Sequence, residues 1–295
     1  MTTQLHSPQS NPGGTDYPKP VNFKLIFRWI GVGFTLVFCL APVLWQVLTS
    51  FKTNQAISAI PSVYFPRLSQ LTWVHYQTLG LSFLRYGWNS AIVSLISTLL
   101  CLGVGAPAAY ALARLKLPGE TIILSLVLII SLFPYVLLFL GLLEIVKLLG
   151  LGNNYLALII PYTAINLPLT ILVLRSFFQQ LPKDLEDAAK IDGYNTVSLL
   201  LKIVLPMTIP ALVTTGILTF IFAWNEFIFA LTFITREELY TIPVAVAQLG
   251  GSSLYEIPYG PMAAATVVGT LPLVILVLIF QRRIVQGITA GAVKG

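Results

Sequence analysis

Three adjacent residues in an apolar part of the chain carry side chains suited to binding a solute. Glu226 is ionisable, and an ionisable residue within a membrane-spanning stretch is a functional candidate by default. Asn225 can donate and accept hydrogen bonds, as ligand hydroxyls require, and Trp224 offers an apolar face to a ring. Asn166, which lies near two prolines, is a further candidate. Glu226 could equally pair with a neighbouring helix and hold a bundle together, so both interpretations stay open.

A charged segment, residues 182–206, interrupts the apolar sequence and has its own helix signals. Pro182 suits the first turn of a helix, because no amide donor is needed there, and acidic residues follow where the helix dipole favours them. Gly193 supplies the left-handed backbone that ends a helix, and Asn195 or Thr196 can cap a second short helix. Four residues are spaced to share one face of the first helix: Leu185, Ala188, Ala189 and Asp192. This helix–glycine–helix element either seats in a groove of another protein or rests on its own bundle.

Composition shows that water is not the main solvent of this chain. Of 295 residues, 56% are hydrophobic and 9% are charged, with a mean hydropathy of +0.85, whereas soluble domains carry about 25% charged residues. The net charge of +6 comes from scattered residues, which excludes a nucleic-acid partner and favours contact with membrane lipid. Cys39 and Cys101 lie in apolar stretches without metal-ligand spacing. We therefore expect no metal site, and we find no catalytic constellation.

Six apolar stretches are long enough to cross a bilayer, which takes about 20 helical residues. They cover approximately 25–50, 87–113, 121–148, 156–178, 210–234 and 262–281. With a cytoplasmic N-terminus, five basic residues face outward and the other twelve of the 17 face inward; the five are Lys52, Arg67, Arg85, Lys147 and Arg236. This orientation predicts that both termini and the loop 179–209 are cytoplasmic, and that 51–86 and 235–261 are extracytoplasmic.

Small residues and prolines indicate how the spans pack. Gly105, Ala109 and Ala113 repeat every four residues, as do Ala265 and Gly269, and small residues at this spacing let helices approach closely in lipid. Three prolines lie within spans three and four, where they free backbone carbonyls: Pro134, Pro161 and Pro168. They predict either kinks or the lining of a solute pathway.

The charged loop resembles the "EAA" loop of ABC importer permeases. That pattern is Glu-Ala-Ala, three residues, Gly, nine residues, Ile, one residue, Leu-Pro. Here Asp187-Ala188-Ala189, Gly193, Ile203 and Leu205-Pro206 stand at the same spacings, with Asp in place of Glu. Residues 224–227, WNEF, look like a family signature, and residues 281–295 are similar to the C-terminus of the carbohydrate-importer subgroup.

The resemblance implies an all-α membrane protein with six transmembrane helices. Its fold would be that of a type I ABC importer permease (MetI-like), with a cytoplasmic coupling helix. The predicted parts are a disordered cytoplasmic tail (1–24), a first transmembrane helix with an extracytoplasmic segment (25–86), the MetI-like core (87–281) and a cytoplasmic C-terminal tail (282–295).

The resemblance also implies a function: a multi-pass permease subunit of the bacterial plasma membrane that imports a sugar or sugar derivative. Its expected partners are a second homologous permease subunit, two copies of an ABC ATPase subunit and an extracytoplasmic sugar-binding protein. ATP and Mg would be bound by the ATPase, since this chain has no phosphate-binding loop and would be neither an enzyme nor a cofactor carrier. The residues expected to couple to the ATPase are Glu186, Asp187, Ala188, Ala189, Asp192, Gly193, Ile203, Leu205 and Pro206. The alternatives are an ABC permease for another solute, such as an amino acid or polyamine, and an ion-gradient-driven secondary transporter.

Overall fold

The computed structural model describes residues 23–250 and 257–292, and their regular structure is helical. In chain order the α-helices of these ranges are α1 (Phe23–Phe51), α2 (Asn54–Ile57), α3 (Val74–Arg114), α4 (Glu120–Leu132), α5 (Phe139–Leu148), α6 (Leu156–Gln180), α7 (Lys183–Ile191), α8 (Thr196–Leu199), α9 (Leu205–Met207), α10 (Ile209–Asn225), α11 (Ile228–Phe233), α12 (Ile242–Gly250) and α13 (Tyr259–Ala292). Single 3₁₀ turns occupy Leu68–Gln70, Tyr135–Leu138 and Glu237–Leu239, and a π-helical turn occupies Leu200–Val204. In the described ranges the extended pairing is one isolated antiparallel bridge, between Lys52 and Leu71.

The chain forms two compact units, residues 1–45 and 46–295. In the first unit the described residues belong to α1, and they expose large apolar side chains such as Phe27, Phe34 and Phe38. A continuous exposed apolar surface of this kind fits a hydrocarbon solvent. The predicted tail 1–24 lies almost wholly outside the described residues, as does the end of the predicted tail 282–295.

Several helices of the described chain are long and apolar enough to cross a membrane. Four pass the test singly: Phe27–Phe51, Val74–Arg114, Leu156–Gln180 and Tyr259–Arg283. The second of these, α3, is kinked near its start at Gly80, whose φ is +61°. Two bent pairs pass the same test together, Glu120–Leu132 with Tyr135–Leu148 and Thr196–Met207 with Ile209–Asn225, and counting each pair as one span gives six. The predicted all-helical, multi-span fold is thereby confirmed.

Two of the predicted apolar stretches are not continuous helices. The stretch 121–148 bends by 92° after α4, because Pro134 disfavours helical backbone at the preceding Phe133. The stretch 210–234 breaks at Glu226, whose backbone is extended between α10 and α11. By contrast, Pro161 and Pro168 lie inside α6, which runs unbroken for 25 residues.

The central packing depends on glycine and alanine, as the four-residue spacing predicted. A Cβ built on Gly105 of α3 would meet Thr170 Cγ2 of α6 at 2.7 Å, so these helices approach too closely for a larger residue. Ala109, one turn further, is fully buried. On α13, a Cβ on Gly269 would meet Ile242 Cγ2 at 2.5 Å. Close contact of these glycine positions with side chains of the neighbouring helix thus packs α3 against α6 and α13 against α12.

Candidate functional site

The charged segment forms the predicted helix–glycine–helix element. Pro182 immediately precedes α7, one position earlier than expected, and Gly193 follows the helix with φ of +83°. Asn195 then begins α8, because its side-chain oxygen accepts a hydrogen bond of 2.8 Å from the Ser198 amide. Of the two predicted caps, Asn195 is therefore the one that caps α8. Pro182 thus marks the start of α7, and Gly193 and Asn195 determine the turn between the two helices.

The helix α7 has one face toward its own bundle and one face exposed. Glu186 and Ala189 are buried, at 6% and 3% exposure. Asp187, Ala188 and Ile191 are exposed, and Ile191 reaches 87%. An exposed acidic and apolar surface at the tip of a short helix has the character of a docking surface. We call these three residues the tip surface.

The face predicted from spacing is therefore divided. Leu185, Ala188 and Asp192 are exposed, whereas Ala189 is buried beneath the helix. Spacing by three and four groups residues on one side, but it does not tell which side meets the bundle. Ile191 was not among the predicted coupling residues, although it lies three residues after Ala188 and four after Asp187. That spacing places Ile191 on the same helix face as Asp187 and Ala188, so the sequence could have identified it.

A buried ion pair braces α7 against the end of α3. Arg114 Nε lies 2.7 Å from Glu186 Oε1, and both side chains are more than nine-tenths buried. Tyr110 donates a hydrogen bond of 3.2 Å to the other carboxylate oxygen, and Arg114 also donates to the Leu181 carbonyl oxygen. Glu186 thus supports the loop from behind instead of facing outward. Sequence reasoning did not identify its partner Arg114.

The second half of the loop is held by apolar contacts. Ile203 and Leu205 are half-buried and pack against the cluster that contains Leu199, Leu200 and Val204, while Pro206 is exposed. Ile203 and Leu205 therefore hold the helix–glycine–helix element in place, whereas the tip surface is its exposed part.

Glu226 joins two helices at the break in the predicted fifth span. The side chain is 5% exposed and accepts a hydrogen bond of 2.5 Å from the Tyr162 hydroxyl of α6. It also accepts hydrogen bonds from the amides of Phe229 and Ala230, at 3.0 and 3.2 Å, which begin α11. The arrangement favours the bundle-holding role over solute contact, since each carboxylate oxygen already has a protein donor.

The other solute candidates are only partly brought together. Trp224 is buried and donates to the Gly269 carbonyl oxygen at 3.1 Å, while the exposed Asn225 donates to the Ile221 carbonyl oxygen at 2.8 Å. Both line a cavity of about 200 Å³ that Thr266 and Thr270 also border. Asn166 is buried, donates to the Tyr162 carbonyl oxygen and is not part of this lining. Two of the four candidates therefore share one cavity, which we call the inner cavity.

A larger cavity, of about 460 Å³, lies at the N-terminal end of α3. Its lining is aromatic and polar, and includes Ser82, Phe83, Tyr86, Glu237, Tyr240 and Gln248. We call it the outer cavity. Sequence reasoning missed it because its lining comes from segments about 150 residues apart.

The described chain is thus a bundle of membrane-length helices with an exposed, braced loop helix and two cavities. The family described as "Binding-protein-dependent transport system inner membrane component" matches residues 102–290, and the chain belongs to this family. The predicted family and its importer-permease fold are thereby confirmed.

Two relatives agree with this assignment, and a solved structure has a similar fold. The chain is 41% identical over 268 residues to the sulfoquinovosyl glycerol transport system permease protein SmoH of Agrobacterium fabrum, covering 91% of this chain and 93% of that protein. It is 40% identical over 272 residues to the trehalose/maltose transport system permease protein MalG of Thermococcus litoralis, covering 92% and 98%. A crystal structure of a bacterial ABC transporter that imports the acidic polysaccharide alginate has a similar fold, with a TM-score of 0.76 at 20% identity over 90% of this chain and 98% of the other.

Proposed function

We propose that this chain is a transmembrane permease subunit of an ATP-binding-cassette importer for a sugar or sugar derivative. Family membership and the sugar-transport names of relatives at about 40% identity support the proposal. The subunit would lie in a bacterial plasma membrane with both termini and the α7 loop in the cytoplasm. That orientation depends on the distribution of basic residues.

The tip surface would dock on the ATPase. The observation that supports this part of the proposal is the buried ion pair beneath the tip surface. Arg114 and Glu186 fasten α7 to the end of α3, so a displacement of α7 would move a span that crosses the whole membrane. Two copies of the ATPase would bind ATP and Mg, and ATP would favour one of two bundle states through differential affinity. A second homologous permease subunit and an extracytoplasmic sugar-binding protein would complete the assembly.

Reconstituted transport tests the proposal directly. We would purify the chain with its co-expressed partner subunits, place the complex in proteoliposomes, and measure uptake of radiolabelled trehalose with loaded binding protein. We expect uptake that requires ATP and persists when a protonophore collapses the ion gradient. Uptake that needs the gradient and ignores ATP would instead identify an ion-driven secondary transporter and overturn the proposal.

Docking of the tip surface has a separate test. Ala188→Arg places a long charged side chain in the middle of this surface, whereas Ala188→Ser keeps a small one. We expect the first variant to lose co-purification of the ATPase and the second to keep it, with equal thermal stability of the two permease variants. Retained ATPase association in Ala188→Arg would remove the tip surface from the interface.

A further inference from the structure

The outer cavity has the size and setting of a small-molecule site. Its volume of about 460 Å³ falls within the range of roughly 300–1,000 Å³ that such sites occupy. Tyr86 on its wall lies about 40 Å from Arg114 along α3, counting about 1.5 Å per residue. The cavity thus lies at the opposite end of α3 from the loop that carries the tip surface.

The walls of this cavity are held in place by a hydrogen-bonded frame. Asn89 of α3 donates to the carbonyl oxygens of Glu238 and Tyr240, at 2.8 and 2.9 Å. The Asn89 oxygen accepts a hydrogen bond from the Tyr155 hydroxyl at 2.7 Å, and the Ile242 amide donates to the Ser90 hydroxyl oxygen at 2.8 Å. The segment that carries Glu237 and Tyr240 is therefore fixed to α3, so the cavity does not depend on a ligand to form.

The lining combines the groups that bind a polyhydroxylated ring. Tyr86 donates to one Glu237 carboxylate oxygen at 2.8 Å, and the other oxygen has no hydrogen-bond partner among the described residues. A carboxylate oriented in this way can accept hydrogen bonds from ligand hydroxyls, and the Gln248 amide can both donate and accept. The rings of Phe83 and Tyr240 offer apolar surface for the C–H face of a sugar.

The charge of the lining selects among sugars. Glu237 contributes a negative charge, and no Lys, Arg or His is among the described residues that line the cavity. Arg85 acts electrostatically on Tyr86 but is not among the lining residues. A carboxylate, sulfonate or phosphate on the ligand would therefore meet Glu237 at the lining itself, and like-charge contacts of this kind discriminate against a ligand.

We propose that the outer cavity is a binding subsite for an uncharged mono- or disaccharide on its way to the inner cavity. The helix α12 separates the two cavities, with Ala245 and Gln248 lining the outer one and Pro243 and Val246 the inner one. The inference rests on the proposed import of sugar, and it adds where an entering sugar is held and which charge class is accepted.

Cysteine protection tests the subsite without requiring transport. Ser82 lines the outer cavity and is exposed, so Ser82→Cys, in a chain that also carries Cys39→Ser and Cys101→Ser, introduces a labelling site there. The complete transporter in nanodiscs, without binding protein, is treated with a methanethiosulfonate reagent. We expect millimolar trehalose to slow labelling at least threefold, and a disaccharide of uronic acids to leave the rate unchanged. Thr78→Cys, also in the lining, provides a second labelling position if Ser82→Cys does not assemble.

Glu237→Gln and its control Glu238→Gln test whether the negative charge of Glu237 is needed for sugar binding. Glu238 is the adjacent exposed carboxylate, and its side chain does not line the cavity. We expect Glu237→Gln to abolish the protection by trehalose and Glu238→Gln to retain it.

Each contrary result has a distinct meaning. Absence of protection in a transporter that still imports trehalose would refute the subsite and leave the proposed function intact, whereas absence of ATP-dependent import of any sugar would refute the proposed function. Equal protection by the neutral and the acidic disaccharide would refute the charge selectivity. In a parallel sample, sugar-free binding protein is added in place of trehalose. Protection by that protein, with none by trehalose, would show that the cavity is a docking surface for the binding protein and overturn the inference.

Discussion

Glu186 and Glu226 are two carboxylates with nearly the same burial, 6% and 5% exposed, and with different compensation. Glu186 meets a cation, Arg114, and a hydroxyl, so its charge is paired in the interior. Glu226 meets a hydroxyl and two backbone amides and no cation in the described chain. Burial alone therefore does not reveal what a carboxylate does in this molecule. Its partners do.

The difference corresponds to two structural tasks. An ion pair joins separate elements at one contact, and here it fastens α7 to α3. A carboxylate that accepts amide hydrogen bonds compensates the unpaired donors of a helix start, where the helix dipole also favours negative charge. Glu226 accordingly stabilises the break at which α10 ends and α11 begins, and Tyr162 links that break to α6.

The largest effect is expected when one partner of the ion pair is removed. Glu186→Ala leaves the Arg114 charge buried without its partner, which typically costs about 3–5 kcal/mol. We expect a marked fall in the thermal unfolding temperature of the purified permease and loss of ATPase association. The double variant Glu186→Leu with Arg114→Met should recover most of the stability, since an apolar pair of similar volume is often neutral. A single variant as stable as the parent chain would show that the pair is unimportant.

Removal of Glu226 is expected to cost less for each group left without a partner, because these groups are neutral donors and not a charge. Glu226→Ala leaves the Tyr162 hydroxyl and the amides of Phe229 and Ala230 without an acceptor, at about 1–3 kcal/mol for a buried unsatisfied group. Glu226→Gln keeps one acceptor oxygen and should retain part of that energy. We expect Ala to impair uptake more than Gln, and neither to change the order of preference among competing sugars. A changed preference in competition assays would show that Glu226 contacts the solute.

The residues around these carboxylates show how far the sequence could predict the site. The turn at Gly193 and the Asn195 cap were predictable, because each depends on its own backbone conformation and nearest neighbours. The partners of Glu186 and Glu226 lie 72 and 64 residues away in sequence, at Arg114 and Tyr162, and no local pattern connects them. The break at Glu226 was missed for the same reason. A strongly apolar stretch predicts a continuous span, and the sequence does not show that the Glu226 side chain accepts the amide hydrogen bonds at the start of α11.

A substitution at Gly193 measures the cost of backbone strain without a change in packing. Its φ of +83° is strained for other residues, and a Cβ built on it meets nothing within 4 Å. We therefore expect Gly193→Ala to cost about 1 kcal/mol through the backbone alone. Gly152 is the control, because its surroundings are equally open and its φ is not positive, so Gly152→Ala should leave the unfolding temperature unchanged. Equal shifts in the two variants would contradict the strain argument.

Asp187 gives the smallest expected effect on stability and the sharpest contrast with its buried neighbour. It lies 3.2 Å from Lys190, and both side chains are more than half exposed, so Asp187→Ala should change the free energy of unfolding by less than about 0.5 kcal/mol. Because Asp187 belongs to the tip surface, the same variant should weaken ATPase association, whereas Lys190→Ala removes the same surface pair and should not. Asp187→Glu keeps the charge and adds one methylene, and we expect it to retain association. If Asp187→Ala and Lys190→Ala weaken the complex equally, the ATPase recognises the surface pair itself. If only Asp187→Ala weakens it, the carboxylate of Asp187 makes the contact. The adjacent acidic residues of α7 then have different roles, since Glu186 anchors the helix to α3 and Asp187 binds the ATPase.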